Sequence, residues 1–242
     1  MLKNIRKFYS PNFNKIKRKR NNIKYIIIHY TGMKREQDAL KRLTKIQSEV
    51  SSHYFIKNNG TLLLLVPELY IAWHAGKSGW KNKKFLNKSS IGIEISNPGH
   101  RYGYKKFNKK QIQILINLLK KLINKFKISP KNILGHSDIA PERKKDPGEK
   151  FPWEMLAKNK LSFWHNLDQK KIKKFREKNL TTKTDKNLFL ENLYKIGYND
   201  VKKFKSHKNT KYLILAFQRR FRQSLVNGKI DKECLLISQN LL

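Results

Sequence analysis

The most informative stretch of this sequence is Gly135-His136-Ser137-Asp138-Ile139-Ala140-Pro141-Glu142-Arg143-Lys144-Lys145-Asp146-Pro147-Gly148. Because proline and glycine interrupt regular structure, it is predicted to be an irregular loop and not a helix. A neutral imidazole at His136 and a carboxylate at Asp146 can supply two of the three protein ligands of a catalytic metal site. A third ligand has to come from another part of the chain.

The third ligand is predicted at His29, which directly follows the apolar run Tyr25-Ile26-Ile27-Ile28. Such a run predicts a buried strand, whose end delivers a side chain to the edge of a sheet, where functional residues collect. A histidine in this position is also commonly a hydrogen-bonded core residue. The metal hypothesis therefore depends on two distant segments converging.

Composition limits the class of protein. A chain of 242 residues can form one large domain or two smaller ones with a substantial core. Cys234 is the only cysteine, which excludes an intramolecular disulfide and a Cys-x-x-Cys zinc site. No apolar run approaches the roughly 18 residues of a membrane span, and Met1 to Tyr9 lacks the pattern of a signal peptide. We therefore expect a cytoplasmic protein without a membrane span, with the periplasm as an alternative.

The chain is strongly basic, with 55 Lys and Arg against 17 Asp and Glu and a formal net charge of +38. A charge of this size is typical of proteins that bind nucleic acid or another polyanion. However, the lysines are spread over the whole chain, and no helix-turn-helix or RNA-binding signature accompanies them. We expect nonspecific binding to polyanions but no specific nucleic-acid partner.

Hydrophobic periodicity predicts strands alternating with helices in the first part of the chain. Strands are expected at 25–30, 53–57, 61–66, 91–95 and 132–134, and amphipathic helices at 36–47 and 108–127, with Asn108 as the cap of the second helix. The turn Asn58-Asn59-Gly60 makes two of the strands an antiparallel hairpin, whereas the alternation with helices favours parallel pairing. The fold class is therefore α/β, with a mixed central sheet flanked by helices, in a domain at 1–160.

Two further regions follow this domain. Residues 161–186 are predicted to be a basic linker, with Lys170-Lys171-Ile172-Lys173-Lys174 at its centre. Residues 187–242 are predicted to form a small all-α three-helix domain, with Gly197 and Gly228 at its turns.

Five motifs occur in order along the first domain: His29-Tyr30-Thr31-Gly32, Ser52-His53-Tyr54, Ala72-Trp73-His74-Ala75-Gly76, Ile91-Gly92-Ile93-Glu94 and the loop at 135–148. Together, over roughly residues 9 to 156, they resemble the zinc-dependent N-acetylmuramoyl-L-alanine amidases of the AmpD and AmiD type. The resemblance implies Zn²⁺ bound by His29, His136 and Asp146. It also implies hydrolysis of the amide between N-acetylmuramic acid and L-alanine in peptidoglycan or muropeptides. We expect the protein to be a monomer.

Other site residues follow from chemistry and from the resemblance. Glu94 interrupts an apolar strand and is a candidate general base, because a carboxylate is costly to bury without a partner or a function. The resemblance implies that Lys144 stabilises the oxyanion that develops on the attacked carbonyl. Only the family spacing distinguishes Lys144 from the adjacent Lys145 in this role. Substrate contacts are expected from Trp73, His74 and Asn97, although Trp73 could be a core residue and His74 a structural hydrogen-bond partner.

The C-terminal region has a looser resemblance of its own. Leu193 with Gly197-Tyr198, Ala216-Phe217-Gln218-Arg219 and Val226-Asn227-Gly228 resemble the small peptidoglycan-binding domain often fused to wall hydrolases. Two rival functions are a peptidoglycan recognition protein that binds wall fragments without cutting them and, less favoured, a polyanion-binding protein. The presence of all three metal ligands favours an enzyme.

Overall fold

A six-stranded mixed sheet forms the centre of this computed structural model, which describes residues 5–180, 182–199 and 207–242. The strands in chain order are β1 Ile5–Lys7, β2 Phe13–Asn14, β3 Tyr25–Tyr30, β4 Tyr54–Ile56, β5 Leu62–Leu64, β6 Ile71–Ala72, β7 Gly79–Trp80, β8 Lys83–Lys84, β9 Ser90–Ile95 and β10 Ile133–Gly135. The helices are α1 Glu36–Thr44, α2 Lys109–Phe126, α3 His136–Ile139, α4 Trp153–Lys158, α5 Gln169–Lys173, α6 Lys183–Ile196, α7 His207–Phe221 and α8 Lys232–Asn240.

The central sheet has the strand order β1-β5-β4-β9-β3-β10. Strands β4, β9, β3 and β10 run parallel, while β5 pairs antiparallel with β4 as the predicted hairpin. The prediction of a mixed sheet is confirmed. Because β3, β9 and β10 are neighbours and parallel, their carboxyl ends lie at one edge, where an open α/β sheet commonly binds its ligands.

One face of the sheet packs against α2. Ile26 and Ile28 of β3 and the buried isoleucines of β9 share a core with Leu115 and Leu119 of this helix. As predicted, Asn108 caps the helix: its side chain accepts a hydrogen bond from the Gln111 backbone N–H at 3.0 Å. The cap and the continuous apolar stripe together hold α2 along the sheet.

The opposite face packs against two groups of helices. Alternate residues of β3, Tyr25 and Ile27, share a core with Phe189 and Leu193 of α6 and with Phe217 of α7. The helix α1 covers the other end of this face, where its Ala39 and Leu43 pack against Phe55 and Leu63. The three C-terminal helices are thus a layer of the same molecule, and the side chain of His29 follows Ile27 on this face by the two-residue period of a strand.

The structure differs from several predictions of local secondary structure. The loop at 135–148 begins with the short helix α3, because Pro141, Pro147 and Gly148 come later and the Asp138 side chain accepts the Gly135 N–H at 2.7 Å. The edge strand β1 and the short strand β2 were not predicted. The segment 161–186 contains α5, whose Ile172 is buried in the C-terminal core. The boundaries at 160 and 187 remain predictions.

The described helices also bear on a membrane location. Within residues 5–180, 182–199 and 207–242, every helix is too short or too polar to cross a bilayer.

Candidate active site and metal centre

The site is built at the carboxyl edge of the sheet. His29 lies near the end of β3 and is the register partner of Glu94 near the end of the adjacent parallel strand β9. His136 directly follows β10, the neighbour of β3 on its other side. Asp146 returns to the same place because its backbone carbonyl accepts a hydrogen bond from the Ser137 N–H at 2.8 Å. Three distant parts of the chain, the ends of β3 and β9 and the loop at 135–148, therefore meet at one edge.

Three of these side chains point lone pairs at a common point. The Nδ1 atoms of His29 and His136 lie 2.9 Å apart, and Asp146 Oδ2 lies 3.0 Å from the first and 3.1 Å from the second. All three residues are buried. Two imidazole nitrogens and a carboxylate oxygen at this spacing have too few protons between them to satisfy one another, so the donor set fits a bound metal ion.

The far nitrogen of His136 fixes its tautomer. Its Nε2–H donates to the Ala75 carbonyl at 3.2 Å, which leaves Nδ1 unprotonated and facing the cluster. The guanidinium of Arg143 donates to the same carbonyl and to the carbonyl of Lys77, at 3.0 Å from Nε. Arg143 therefore holds the loop at 75–77 against the loop that carries the candidate metal ligands His136 and Asp146.

The far nitrogen of His29 is fixed by a second chain of hydrogen bonds. His29 Nε2–H donates to His74 Nδ1 at 3.1 Å, His74 Nε2–H donates to Ser90 Oγ at 3.2 Å, and Ser90 donates to the Leu86 carbonyl at 2.6 Å. Gly92 makes room for this chain, since a Cβ there would lie 2.4 Å from the His74 ring. His74 therefore lies behind the candidate metal ligand His29 and also lines the cleft.

The electrostatics suit a neutral His29 imidazole beside an ionised Asp146 carboxylate. Burial, together with His136, lowers the pKa of His29 to about 4. Burial alone would raise the pKa of Asp146, but His136 and His29 outweigh it and hold that pKa well below its usual range. The site is thus ready for a cation at neutral pH.

Glu94 differs from Asp146 in its surroundings. Burial and the nearby Asp146 raise the pKa of Glu94 to about 8, while Lys144 acts in the opposite direction. Its Oε2 atom is buried and has no hydrogen-bond partner among the described residues. A carboxyl group with a raised pKa and a free oxygen next to a metal site is suited to proton transfer.

A cleft of about 530 Å³ opens above these residues. It brings together seven of the eight predicted site residues: His29, Trp73, His74, Glu94, His136, Lys144 and Asp146. Lys145 also lines it but is exposed, whereas Lys144 is half-buried. The structure does not bring Asn97 into the cleft, because its amide is buried, donates to the Lys105 carbonyl at 2.8 Å and accepts the Gly99 N–H at 3.0 Å.

Comparisons with known proteins identify the family of this chain. The model of the N-acetylmuramoyl-L-alanine amidase family matches residues 19–149, which is more than half of the chain. This chain belongs to that family. The prediction of an enzyme, an N-acetylmuramoyl-L-alanine amidase of the AmpD and AmiD type, is confirmed, and the rival of a recognition protein without catalysis is not favoured.

Named relatives extend the similarity of this amidase over nearly the whole chain. The N-acetylmuramoyl-L-alanine amidase AmiD of Escherichia coli is 38% identical over 233 residues, covering 91% of this chain and 82% of the relative. A solved complex of E. coli AmiD with anhydro-N-acetylmuramic acid-L-Ala-D-gamma-Glu-L-Lys superposes with a TM-score of 0.81 at 37% identity, covering 95% of this chain and 92% of the other. AmpDh3 of Pseudomonas aeruginosa, in complex with an anhydromuramic pentapeptide, has a TM-score of 0.79 at 30% identity, covering 94% and 93%.

Sequence reasoning missed several residues of the candidate site. Arg143 carried no signal apart from its place in the loop, and Ser90 looked like an ordinary strand residue. Gly92 did carry a signal, because a glycine inside an apolar strand often marks a close approach by another group. Two exposed arginines of the cleft, Arg42 and Arg101, were also overlooked.

Proposed function

We propose that this protein is a zinc amidase that cleaves muropeptides through His29, His136 and Asp146 as metal ligands, with Glu94 as the proton-transfer group. The observation that carries the proposal is the position of Glu94. Its carboxyl group, with a free buried oxygen, stands on the same face and at the same sheet edge as the three converging donors. A structural metal site would not need this carboxyl group beside it.

The donor set supports zinc as the metal. Zinc bonds to histidine and carboxylate of about 2.0 to 2.2 Å in tetrahedral geometry separate the ligand atoms by about 3.3 Å, and the three donors here lie 2.9 to 3.1 Å apart. Two histidines and one carboxylate also leave an open position, as catalytic zinc sites do. When bound, the ion lowers the pKa of a water molecule and polarises a carbonyl group.

The chain's own residues then move protons and balance charge. Water adds to the carbonyl carbon, the C–N bond breaks, and the products are a carboxylate and an amine. Glu94 accepts a proton from the attacking water and delivers it to the departing nitrogen. Lys144, half-buried at the cleft wall, balances the negative charge that develops on the carbonyl oxygen.

The substrate is a muropeptide, as in the AmiD and AmpDh3 complexes. The ligand of AmiD contains a gamma-linked glutamate, which leaves one carboxylate free. Arg42, Arg101 and Lys145 place exposed cations around the cleft, where they attract such a carboxylate. Trp73 adds an aromatic face, and its indole N–H donates to Asn14 Oδ1 at 2.6 Å.

Mass spectrometry of a soluble muropeptide digest tests the bond. Cleavage at the proposed amide frees a peptide with an L-alanine amino terminus, and Glu94→Gln reduces turnover by at least about a hundredfold, as expected for loss of a general acid-base group. The matched control is Glu68→Gln, since Glu68 pairs with Tyr54 and Lys125 away from the cleft. Release of sugars with the peptide still attached would overturn the amidase assignment.

Metal analysis tests the cofactor separately. Protein purified without chelator is expected to carry about one zinc per chain, and His136→Ala should lose it. Full zinc occupancy in His136→Ala would remove this residue from the ligand set.

The C-terminal region is proposed to have a function of its own. Residues 187–242 are proposed to bind peptidoglycan, which a C-terminal domain often does in wall hydrolases. Pelleting of the whole protein with purified sacculi in moderate salt tests this.

The oligomeric state and the location of the protein are proposed as well. The protein is proposed to be a monomer, for which sedimentation equilibrium is the test. A cytoplasmic location is proposed with the periplasm as the alternative, and cell fractionation with marker enzymes distinguishes them.

A further inference from the structure

A buried charged cluster lies next to the proposed metal ligand His136 on the helix α3, and the proposed reaction does not use it. It consists of Asp138 on α3, Arg220 on α7 and Tyr198, which follows α6. None of the three is more than 2% exposed. Arg220 Nη1 donates to Asp138 Oδ2 at 2.5 Å, and the Tyr198 hydroxyl donates to Asp138 Oδ1 at 3.0 Å. The C-terminal helices therefore contact the metal-binding loop through an ion pair with almost no solvent access.

The bonds of this cluster lie on both sides of His136. On the strand side, Arg220 Nη2 donates to the Ile133 carbonyl in β10 at 2.9 Å. On the helix side, Asp138 accepts the Gly135 N–H at 2.7 Å, which fixes the first turn of α3. The Arg220 guanidinium also stacks over Trp153, with its Cζ atom 4.2 Å from the centroid of the ring. A single arginine thus bonds to the backbone before His136 and to the side chain of Asp138, two residues after it.

Charge pairs of this kind are poor sources of stability, because removing two charges from water costs about as much as their attraction returns. Their clearest effect is to select one geometry. Here the geometry selected is that of a four-residue helix beginning at His136, a helix too short to be stable by itself.

We infer that Asp138, Arg220 and Tyr198 are positioning residues for His136, so that metal binding in the amidase domain depends on the C-terminal helices. This inference rests on the proposed metal site. It assigns the C-terminal helices a part in building the active site, in addition to any wall binding. Groups that orient metal ligands typically change metal affinity by about 10- to 100-fold when they are replaced.

The test compares two arginines of similar burial. Arg220→Met removes the positioning pair. Arg222→Met is the matched control, because Arg222 is equally buried but its partners Asp231, Glu233 and Asn227 all belong to the C-terminal part. Zn²⁺ affinity is measured by competition with a fluorescent chelator, well below the unfolding midpoint of every variant. Both variants are expected to unfold at lower temperature than wild type.

The two variants should differ in their affinity for Zn²⁺. Arg220→Met is expected to bind Zn²⁺ at least about tenfold more weakly than wild type, whereas Arg222→Met stays within twofold. Arg220→Lys, which keeps the charge but cannot bridge Asp138 and Ile133 together, should fall between wild type and Arg220→Met. The visible spectrum of the Co²⁺ form should change in Arg220→Met and not in Arg222→Met.

Other outcomes have definite meanings. Equal Zn²⁺ affinity in Arg220→Met and Arg222→Met would overturn the inference and leave the proposed function intact. Failure of the wild type to bind Zn²⁺ would overturn the proposed function itself. Should Arg220→Met not fold, Arg220→Lys and Tyr198→Phe replace it, and unchanged affinity in both would again overturn the inference.

Discussion

His29 and Glu94 are register partners on the adjacent parallel strands β3 and β9, so their side chains leave the same face of the sheet next to each other. This pairing sets a proposed metal ligand beside the proposed proton-transfer group without any flexible loop between them. Strand pairing is rigid compared with loops, so the spacing of the two groups is preorganised.

The first prediction concerns the pH dependence of stability in metal-free protein. The pKa of Glu94 is raised from 4.5 to about 8 in the fold, so the folded state holds a proton that the unfolded state releases. The favourable contribution of protonated Glu94 is complete below pH 4.5 and is lost as the pH rises through 8. Glu94→Gln should therefore gain stability over wild type between about pH 5 and pH 8, by up to about 4 kcal/mol.

Urea unfolding at a series of pH values, with a chelator present, measures this difference. Glu68→Gln is the control, because the pKa of Glu68 is lowered: burial raises it, but the hydrogen bond from Tyr54 and the charge of Lys125 outweigh burial. The difference in the free energy of unfolding between Glu68→Gln and wild type should not grow between about pH 5 and pH 8. A flat difference for Glu94→Gln would mean that the carboxyl group is ionised throughout.

The second prediction concerns the hydrogen bond behind His29. His74→Phe keeps an aromatic ring but removes the acceptor of the His29 Nε2–H, so Zn²⁺ affinity should fall by about 10- to 100-fold. The control is His165→Phe, since His165 is also buried but accepts from Gln169 in the C-terminal part. Equal Zn²⁺ affinity in the two variants, measured by chelator competition, would show that His74 does not orient the ligand.

The third prediction concerns Arg18, which anchors the basic segment before β3. It is 7% exposed and donates to the backbone carbonyls of Glu68 and Asn87 at 2.9 Å. Burial lowers its pKa to about 10, so the side chain stays charged at neutral pH. Arg18→Ala leaves buried acceptors unpaired and should lower the free energy of unfolding by about 3 kcal/mol.

Lys19→Ala is the neighbouring control for urea denaturation, and it should change stability by less than about 0.5 kcal/mol because Lys19 is exposed. Similar small effects of both substitutions would indicate that this segment is a solvated arm.

The fourth prediction concerns Cys234, the single thiol. It is fully buried, and burial raises its pKa to about 12. Since the thiolate is the reactive form, a disulfide reagent should not label native protein at pH 8 but should label it promptly in denaturant. In a Cys234→Ser background, Lys158→Cys on an exposed helix position supplies a rapidly reacting control. Prompt labelling of Cys234 in native protein would reveal local opening of the C-terminal core.

The sequence by itself determined the parts whose signals are local. The strand at 25–30, the Asn108-capped helix and the hairpin follow from periodicity and turn chemistry, which act over a few residues. The metal ligands could be proposed because imidazole and carboxylate chemistry restricts the choice and because five motifs occur in a fixed order. Glu94 stood out because a carboxylate in an apolar strand needs a reason to be there.

Only the tertiary structure decided which distant groups meet. In the structure, His74 lies behind His29, and the Asn97 amide donates to the Lys105 carbonyl instead of facing the cleft. Asp138 pairs with Arg220, which is 82 residues away in the chain. The tertiary structure also joined the C-terminal helices to the sheet in one core. These outcomes depend on which face of a strand or helix packs against which other face, and a contact between such faces leaves no periodic or compositional trace in either segment alone.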